Sequence, residues 1–129
     1  MKLMIASDLH GSAYYTRLLL TAMDREQPDR LLLLGDLLYH GPRNDLPREY
    51  APKQVIQLLN ARKSQILCVR GNCEAEVDQM VLEFPVLSEF GGVFADGLTL
   101  YMLHGHKNLD LPVLPGDILL CGHPHVPAV

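Results

Sequence analysis

The chain has 129 residues and a formal net charge of −4 at pH 7 with its six histidines neutral. That length suits one domain with a real hydrophobic core, and the mean hydropathy of +0.08 fits a globular protein without a run near the ~20 apolar residues that span a bilayer. The acidic balance argues against a binder of nucleic-acid backbones, although bound divalent cations would reverse the local charge for a phosphate substrate.

The first half of the chain predicts alternating strands and helices. Apolar runs at residues 2–7, 30–34 and 64–70 predict buried strands. A helix is predicted from an N-cap at Ser12 to about Arg25, and a second from Pro52 in its first turn to about Ala61. This β-α-β-α-β order implies parallel strands joined by right-handed crossovers.

The second half is richer in strands. It predicts a short helix at residues 74–80, a hairpin of residues 91–95 and 98–103 around a turn at Asp96 and Gly97, and a buried strand at residues 118–121. The fold class is therefore mixed α/β. Cys68 and Cys121 lie within apolar runs and are predicted to be inert core residues. The cysteines show no disulfide or zinc-ribbon spacing and the short apolar N-terminus is no signal peptide, so we expect a cytoplasmic protein without membrane contact.

Polar side chains follow the apolar runs at five points of the sequence. Parallel strands bring their ends together at one edge of a sheet, so side chains far apart in sequence are expected to meet there. They supply two carboxylates, one amide and four imidazoles, a credible ligand set for two ions of the manganese, iron or zinc type. These candidate ligands are Asp8, His10, Asp36, Asn72, His104, His123 and His125.

A two-metal phosphoesterase needs such a set. Two cations about 3.5–4 Å apart clamp an in-line displacement at phosphorus, and a carboxylate must bridge them because the ions repel each other. Neutral imidazoles and oxygen ligands complete the shells, and an open position takes the water that becomes the nucleophile.

The motifs then identify a family resemblance. Asp8-x-His10, Gly35-Asp36, Gly71-Asn72-Cys73-Glu74, His104-Gly105-His106 and Gly122-His123-x-His125 resemble the calcineurin-like metallophosphoesterase superfamily. The stretch His40-Gly41-Pro42-Arg43-Asn44 and the Gly-Asn-Cys-Glu form resemble its small bacterial YfcE-type phosphodiesterases. The resemblance implies a four-layer αββα sandwich and a metal-dependent phosphodiesterase that hydrolyses small phosphate esters through a metal-bound hydroxide.

The resemblance also assigns ligand roles. The first metal is expected on Asp8, His10 and His125. The second is expected on Asn72, His104 and His123, with Asp36 bridging the two ions. Asp36, Asn72 and His104 thereby carry catalysis as well as metal binding. Manganese is the ion usually implied, with zinc, iron and nickel as alternatives.

The chain departs from the common family pattern at Cys73. Many members carry a histidine there, which is thought to protonate the leaving group, whereas a thiol with a pKa near ~8.5 is a poor substitute. We therefore expect either a preference for esters with good leaving groups or protonation of the leaving group by another residue. Cys73, together with His40 and Arg43 in the loop after Asp36, is expected to contact the substrate. His106 has no ligand role in the resemblance and is expected to be structural.

A second departure is the position of the last residue, Val129, four residues after His125. Members of the family normally continue for several strands beyond that motif. We therefore expect one metallophosphoesterase domain at residues 1–129 that lacks the usual C-terminal strands, with an open sheet edge that favours a homo-oligomer.

Two other functions remain open at this stage. The first is a binding scaffold on the same fold with impaired catalysis, which Cys73 and the early end of the chain favour slightly and the complete ligand set opposes. The second is a phosphomonoesterase, because the sequence does not distinguish monoesters from diesters.

Overall fold

The computed structural model describes residues 1–41, 45–107 and 109–122. Its first sheet is parallel, as predicted, and its three strands lie in chain order. The two helices α1 and α2 connect these strands. The bounds are Leu3–Ala6 for β1, Ala13–Glu26 for α1, Arg30–Leu33 for β2, Pro52–Asn60 for α2 and Ile66–Cys68 for β3.

Local signals explain both helix starts. The Ser12 side chain accepts a hydrogen bond from the Tyr15 N–H, which satisfies one of the free donors at the start of α1. Pro52 occupies the first turn of α2, where its missing N–H costs nothing. The third strand is shorter than predicted because a 3₁₀ turn at Lys63–Gln65 precedes it.

The second sheet has the order β4-β5-β6. Strands β4 (Phe90–Ala95) and β5 (Leu98–Leu103) form the predicted antiparallel hairpin, and β6 (Ile118–Leu120) runs parallel to β5. Asp96 and Gly97 at the turn have φ of 52° and 78°. Two left-handed residues give a turn whose twist matches that of the flanking strands.

Alternate leucines of β2 and its extension face opposite sides of the first sheet. Leu31 and Leu33 pack into a cluster with residues of the helices, whereas Leu32 and Leu34 pack into a second cluster with Met102 of β5. All four are buried, because the strand lies between a helical layer and the second sheet. The described residues thus form three layers, helices on sheet on sheet.

The outer face of the second sheet carries exposed apolar side chains. Phe94 is 84% exposed, and Phe90 and Leu119 are about half exposed. Cys121, predicted to be a core residue, is exposed instead, because it lies just beyond the end of β6. None of the described helices is long and apolar enough to cross a membrane.

The third helix, α3 (Glu76–Val81), begins two residues later than the predicted start at residue 74. Ala75 is its N-cap residue in extended conformation. Glu74 is not helical because its side chain is held by backbone N–H groups of the loop after β2 and of Gly71 in its own loop. This displacement places Glu74 beside the candidate site.

Candidate active site

The loops after β1 and β2 are joined along their backbones. Hydrogen bonds run from the Asp8 N–H to the Gly35 carbonyl (3.0 Å) and from the His10 N–H to the Asp36 carbonyl (2.9 Å). Asp8, His10 and Asp36 all have left-handed φ, at 60°, 47° and 56°. Such backbone strain is held only where surrounding contacts fix it, and it concentrates at functional sites. The strain therefore marks these loop ends as a candidate site.

The Asp36 carboxylate lies between two imidazoles. Its Oδ2 is 3.1 Å from His104 Nε2 and 3.7 Å from His10 Nε2. Asp8 Oδ1 lies 3.3 Å from His10 Nε2 and 3.8 Å from His104 Nε2. Both histidines and Asp36 are buried. The structure thus brings together four of the seven predicted ligands, from loops after β1, β2 and β5.

Backbone carbonyls fix the orientation of both imidazoles. His10 Nδ1 lies 2.8 Å from the Tyr39 carbonyl oxygen, and His104 Nδ1 lies 2.7 Å from the Leu34 carbonyl oxygen. A carbonyl only accepts, so each Nδ1 must carry the proton and donate it. Each Nε2 lone pair then points at the carboxylates in the neutral state. This second contact is the usual way in which proteins orient metal-ligating histidines.

The carboxylates also change how readily these imidazoles hold a second proton. The hydrogen bond with Asp8 is the main cause that raises the pKa of His10, against the opposing effect of burial. For His104, burial is the largest single effect and lowers the pKa, but Asp36 and the Leu34 carbonyl together outweigh it and leave the pKa raised. The carboxylates therefore favour the protonated form of both imidazoles, an effect that bound cations would oppose.

The loop after β3 approaches Asp36 closely. The Cys73 N–H donates to Asp36 Oδ1 (2.8 Å), which holds the second carboxylate oxygen. Gly71 must be glycine here, because a Cβ built on it would lie 2.2 Å from Asp36 Oδ1. Asp36 is thus fixed through one oxygen by the backbone and leaves Oδ2 facing the imidazoles.

Cys73 was predicted to contact the substrate, and the structure places its sulfur beside two of the candidate metal ligands. Its sulfur, one ligand nitrogen of His10 and one carboxylate oxygen of Asp36 all lie within 4.8 Å of one another. Burial, followed by the negative charge of Asp36, raises the pKa of the Cys73 thiol to about 12. The thiol is therefore neutral across the physiological pH range and is a weak proton donor.

Glu74 is the residue whose position the sequence did not predict. It is 2% exposed, and its carboxylate accepts hydrogen bonds from the N–H groups of Asp36, Leu37 and Gly71. Burial raises the pKa of Glu74, and the three N–H donors oppose that rise. The signal in the sequence was its place in the Gly71-Asn72-Cys73-Glu74 motif, which does not distinguish a buried carboxylate from the start of a helix.

Of the other predicted site residues, some lie within the described part of the chain and three do not. Asn72 lies on the same loop as Cys73, but its side chain is exposed and its Nδ2 contacts the Cys73 sulfur at 3.8 Å. His40 is half-buried, with its ring 5.2 Å from that of Tyr50. His106 stacks edge-to-face on His104 with ring centres 5.3 Å apart, consistent with a structural role. Arg43, His123 and His125 lie outside the described residues.

An open cleft of about 630 Å³ adjoins the cluster. This volume lies within the range of small-molecule sites. Asp8 and His10 form one wall, and Tyr15, His40 and Asp45 lie around the rest. The cleft therefore gives a small substrate access to Asp8 and His10.

The donor set fits divalent cations. Asp8, Asp36 and His104 form one group of potential ligand atoms within 4.8 Å, and His10, Asp36 and Cys73 form another. Asp36 belongs to both groups, which is the arrangement that a bridging carboxylate requires. Carboxylate oxygens and oriented imidazoles suit manganese, iron or zinc.

Comparisons with known proteins agree with this geometry. The sequence profile of the calcineurin-like phosphoesterase superfamily domain matches residues 1–129. Phosphodiesterase YfcE of Escherichia coli strain K12 is 44% identical over 130 residues, and the match covers 98% of this chain and 71% of that protein. The protein of the same name from Escherichia coli O157:H7 matches to the same extent.

A solved structure described as Yfce, a phosphoesterase from E. coli, matches the fold with a TM-score of 0.93. The match has 44% sequence identity and covers 98% of this chain and 71% of that chain. The predicted mixed α/β metallophosphoesterase fold and the predicted enzyme class, a phosphoester hydrolase, are therefore confirmed. The chain belongs to the calcineurin-like phosphoesterase superfamily.

Proposed function

We propose that the protein is a metal-dependent phosphodiesterase that hydrolyses small phosphate esters at a two-metal site. The observation that carries this proposal is the position of Asp36 Oδ2 between the Nε2 atoms of His104 and His10, at 3.1 and 3.7 Å. A carboxylate shared by two oriented imidazoles is the core of a bridged metal pair. Two E. coli relatives named phosphodiesterase support the diester substrate.

The ligand assignment extends from this core. We assign Asp8 and His10 to the first ion, His104 and Asn72 to the second, and Asp36 to both. His125 and His123 would complete the two shells in that order. Gly122, the last described residue before them, supports this assignment: it donates its N–H to the His104 carbonyl (3.0 Å), and a Cβ on it would lie 2.1 Å from Ser7 Oγ.

When bound, the two ions would polarise the phosphoryl oxygens and lower the pKa of the attacking water. The residues of the chain orient this chemistry. The Tyr39 and Leu34 carbonyls keep His10 and His104 in the tautomer that presents Nε2, and the Cys73 N–H holds Asp36 Oδ1 so that Oδ2 faces both. We place manganese first among the candidate ions, with zinc, iron and nickel as alternatives.

The substrate enters through the cleft beside Asp8 and His10. We assign phosphate contacts to His40, Cys73 and Arg43. A thiol transfers a proton to a leaving group poorly, because its ordinary pKa lies above the working pH, so the site suits esters whose leaving group needs little protonation, such as phenolates. The profile match over residues 1–129 supports a single domain. The cytoplasmic location and the homo-oligomer remain predictions.

The test is hydrolysis of bis-p-nitrophenyl phosphate by chelator-stripped protein, before and after addition of Mn²⁺. We expect no activity without metal, recovery with manganese, and loss of activity in Asp36→Ala. Asp110→Ala is the matched control, because it removes an exposed carboxylate and the same charge. Activity that survives chelation would rule out the metal-dependent mechanism.

The same experiment separates the alternatives. A higher kcat/KM for p-nitrophenyl phosphate than for the diester would identify a phosphomonoesterase. Folded protein that binds manganese but hydrolyses neither ester would favour the binding scaffold.

A further inference from the structure

One buried carboxylate outside the proposed ligand set, that of Glu74, connects the loop after β3 to the loop after β2 that carries Asp36. Glu74 Oε1 accepts hydrogen bonds from the N–H groups of Asp36 (2.7 Å) and Gly71 (2.6 Å), and Oε2 accepts one from the Leu37 N–H (2.9 Å). Asp36 and Leu37 follow β2, whereas Gly71 follows β3. A single side chain therefore fixes the distance between the two loops.

The loop after β2 has a shape that needs such an anion. Gly35 and Asp36 have φ of 98° and 56°. A tight turn can point successive N–H groups to the same side of the backbone, where they form a concave site for an anion. The N–H groups of Asp36 and Leu37 converge on Glu74 in this way. Without the carboxylate these buried donors would lose their partners, and the strained turn would be held only by its backbone hydrogen bonds to the loop after β1.

The contacts of Glu74 exclude a direct role as a ligand. Both oxygens face backbone donors, and in the described part of the chain the carboxylate belongs to neither group of potential metal ligands. It also forms no ion pair with a described Lys, Arg or His side chain, so its charge is not cancelled by a neighbour. That negative charge beside Asp36 adds to the attraction of the site for dications.

We propose that Glu74 is a positioning residue for the metal centre, which fixes the Asp36 backbone so that its carboxylate bridges both ions. This inference rests on the proposed two-metal function. The inference predicts that Glu74 affects the affinity of the site for the two ions and the distance between them. An effect on folding alone would change neither quantity in folded protein.

The test compares three variants of the full chain. Glu74→Gln keeps the side-chain volume and one acceptor for Asp36 and Gly71, but turns an amide N–H₂ toward the Leu37 N–H. Glu74→Ala removes all three acceptors. Asp78→Asn is the control, because it neutralises another buried carboxylate, on the neighbouring α3, for which no hydrogen bond or ion pair to a described proposed ligand is seen.

The readouts are the number and dissociation constants of bound Mn²⁺ by titration calorimetry, and the magnetic coupling of the two ions by electron paramagnetic resonance. We expect Glu74→Gln, shown to be folded by circular dichroism, to bind manganese about 10–100-fold more weakly and to lose the coupled signal. Glu74→Ala is expected to show a larger loss, and Asp78→Asn to bind like the unmodified protein. If Glu74→Ala does not fold, Glu74→Gln decides the question.

Two results would overturn the inference while leaving the proposed function intact. One is a folded Glu74→Gln variant that binds two coupled ions with unchanged affinity, which would reduce Glu74 to a structural role. The other is an equal loss in Asp78→Asn, which would show general loosening. Unmodified protein that takes up no manganese would instead refute the metal centre, and with it the role of Glu74.

Discussion

Replacing Gly71 by alanine should displace the proposed bridging carboxylate without removing any ligand. The added Cβ would lie 2.2 Å from Asp36 Oδ1 and 2.7 Å from the Asp36 nitrogen. Carbon and oxygen atoms normally stay at least about 3.2 Å apart, so the carboxylate or the loop must move by about 1 Å. Oδ1 also accepts the Cys73 N–H at 2.8 Å, so this movement breaks a hydrogen bond.

The magnitude follows from that displacement. A misplacement of about 1 Å in a catalytic constellation costs on the order of 100-fold in rate, and overpacking of this kind costs about 1–3 kcal/mol of stability. We expect Gly71→Ala to stay folded at 25 °C and to lose about 100-fold in kcat/KM for bis-p-nitrophenyl phosphate at saturating Mn²⁺. Thermal unfolding measured beside the kinetics separates the two effects.

The matched control is Gly92→Ala in β4. A Cβ there would meet only the Leu100 carbonyl oxygen, at 3.7 Å, which is an ordinary contact. We expect this variant to keep the kcat/KM of the unmodified protein. If Gly71→Ala did the same while remaining folded, the Asp36 carboxylate would not need its observed position, and the reasoning about the bridge would be refuted.

Two further predictions concern protons. The pKa values of His10 and His104 are raised in the metal-free fold above their ordinary value of 6.5, so their contribution to stability is complete below about pH 6.5 and is lost as the pH rises through the raised values. Chelator-stripped protein should therefore unfold at a lower temperature at about pH 8 than at about pH 6. Manganese-loaded protein should show the opposite trend, since only neutral imidazoles bind metal, and parallel trends in the two samples would contradict this. The second prediction is that Cys73 in metal-free protein reacts with iodoacetamide at about pH 8 at least ~100-fold more slowly than free cysteine, because its thiol pKa is raised to about 12. Peptide mass spectrometry measures the rate, and alkylation at the rate of free cysteine would show that the thiol is not shielded.

The predictable part of the site was its position in the chain. Asp8 and Asp36 each follow an apolar run, and parallel strands place such residues at one edge. The prediction also placed His104 correctly at the end of β5. The alternation of strands and helices implied that Asp8 and Asp36 share this edge, whereas the approach of His104 depends on how the second sheet packs against the first.

The unpredictable part was how each side chain is held. Glu74 was expected to begin a helix, but it bonds to Asp36 at a separation of 38 residues in sequence. Cys121 was expected in the core, but the strand before it ends at Leu120. Propensity and periodicity describe a residue and its neighbours, so neither reports a backbone donor supplied from a distant loop.

The sequence by itself determined the parallel strands of the first sheet, the hairpin and the family, because apolar runs and ordered motifs are local features that many residues reinforce. Only the tertiary structure decided that His104 Nδ1 meets the Leu34 carbonyl, 70 residues away, and that left-handed Asp36 turns its N–H to Glu74. Those contacts depend on the distance between two loops. That distance is set by the packing of both sheets, so no single segment of the sequence specifies it.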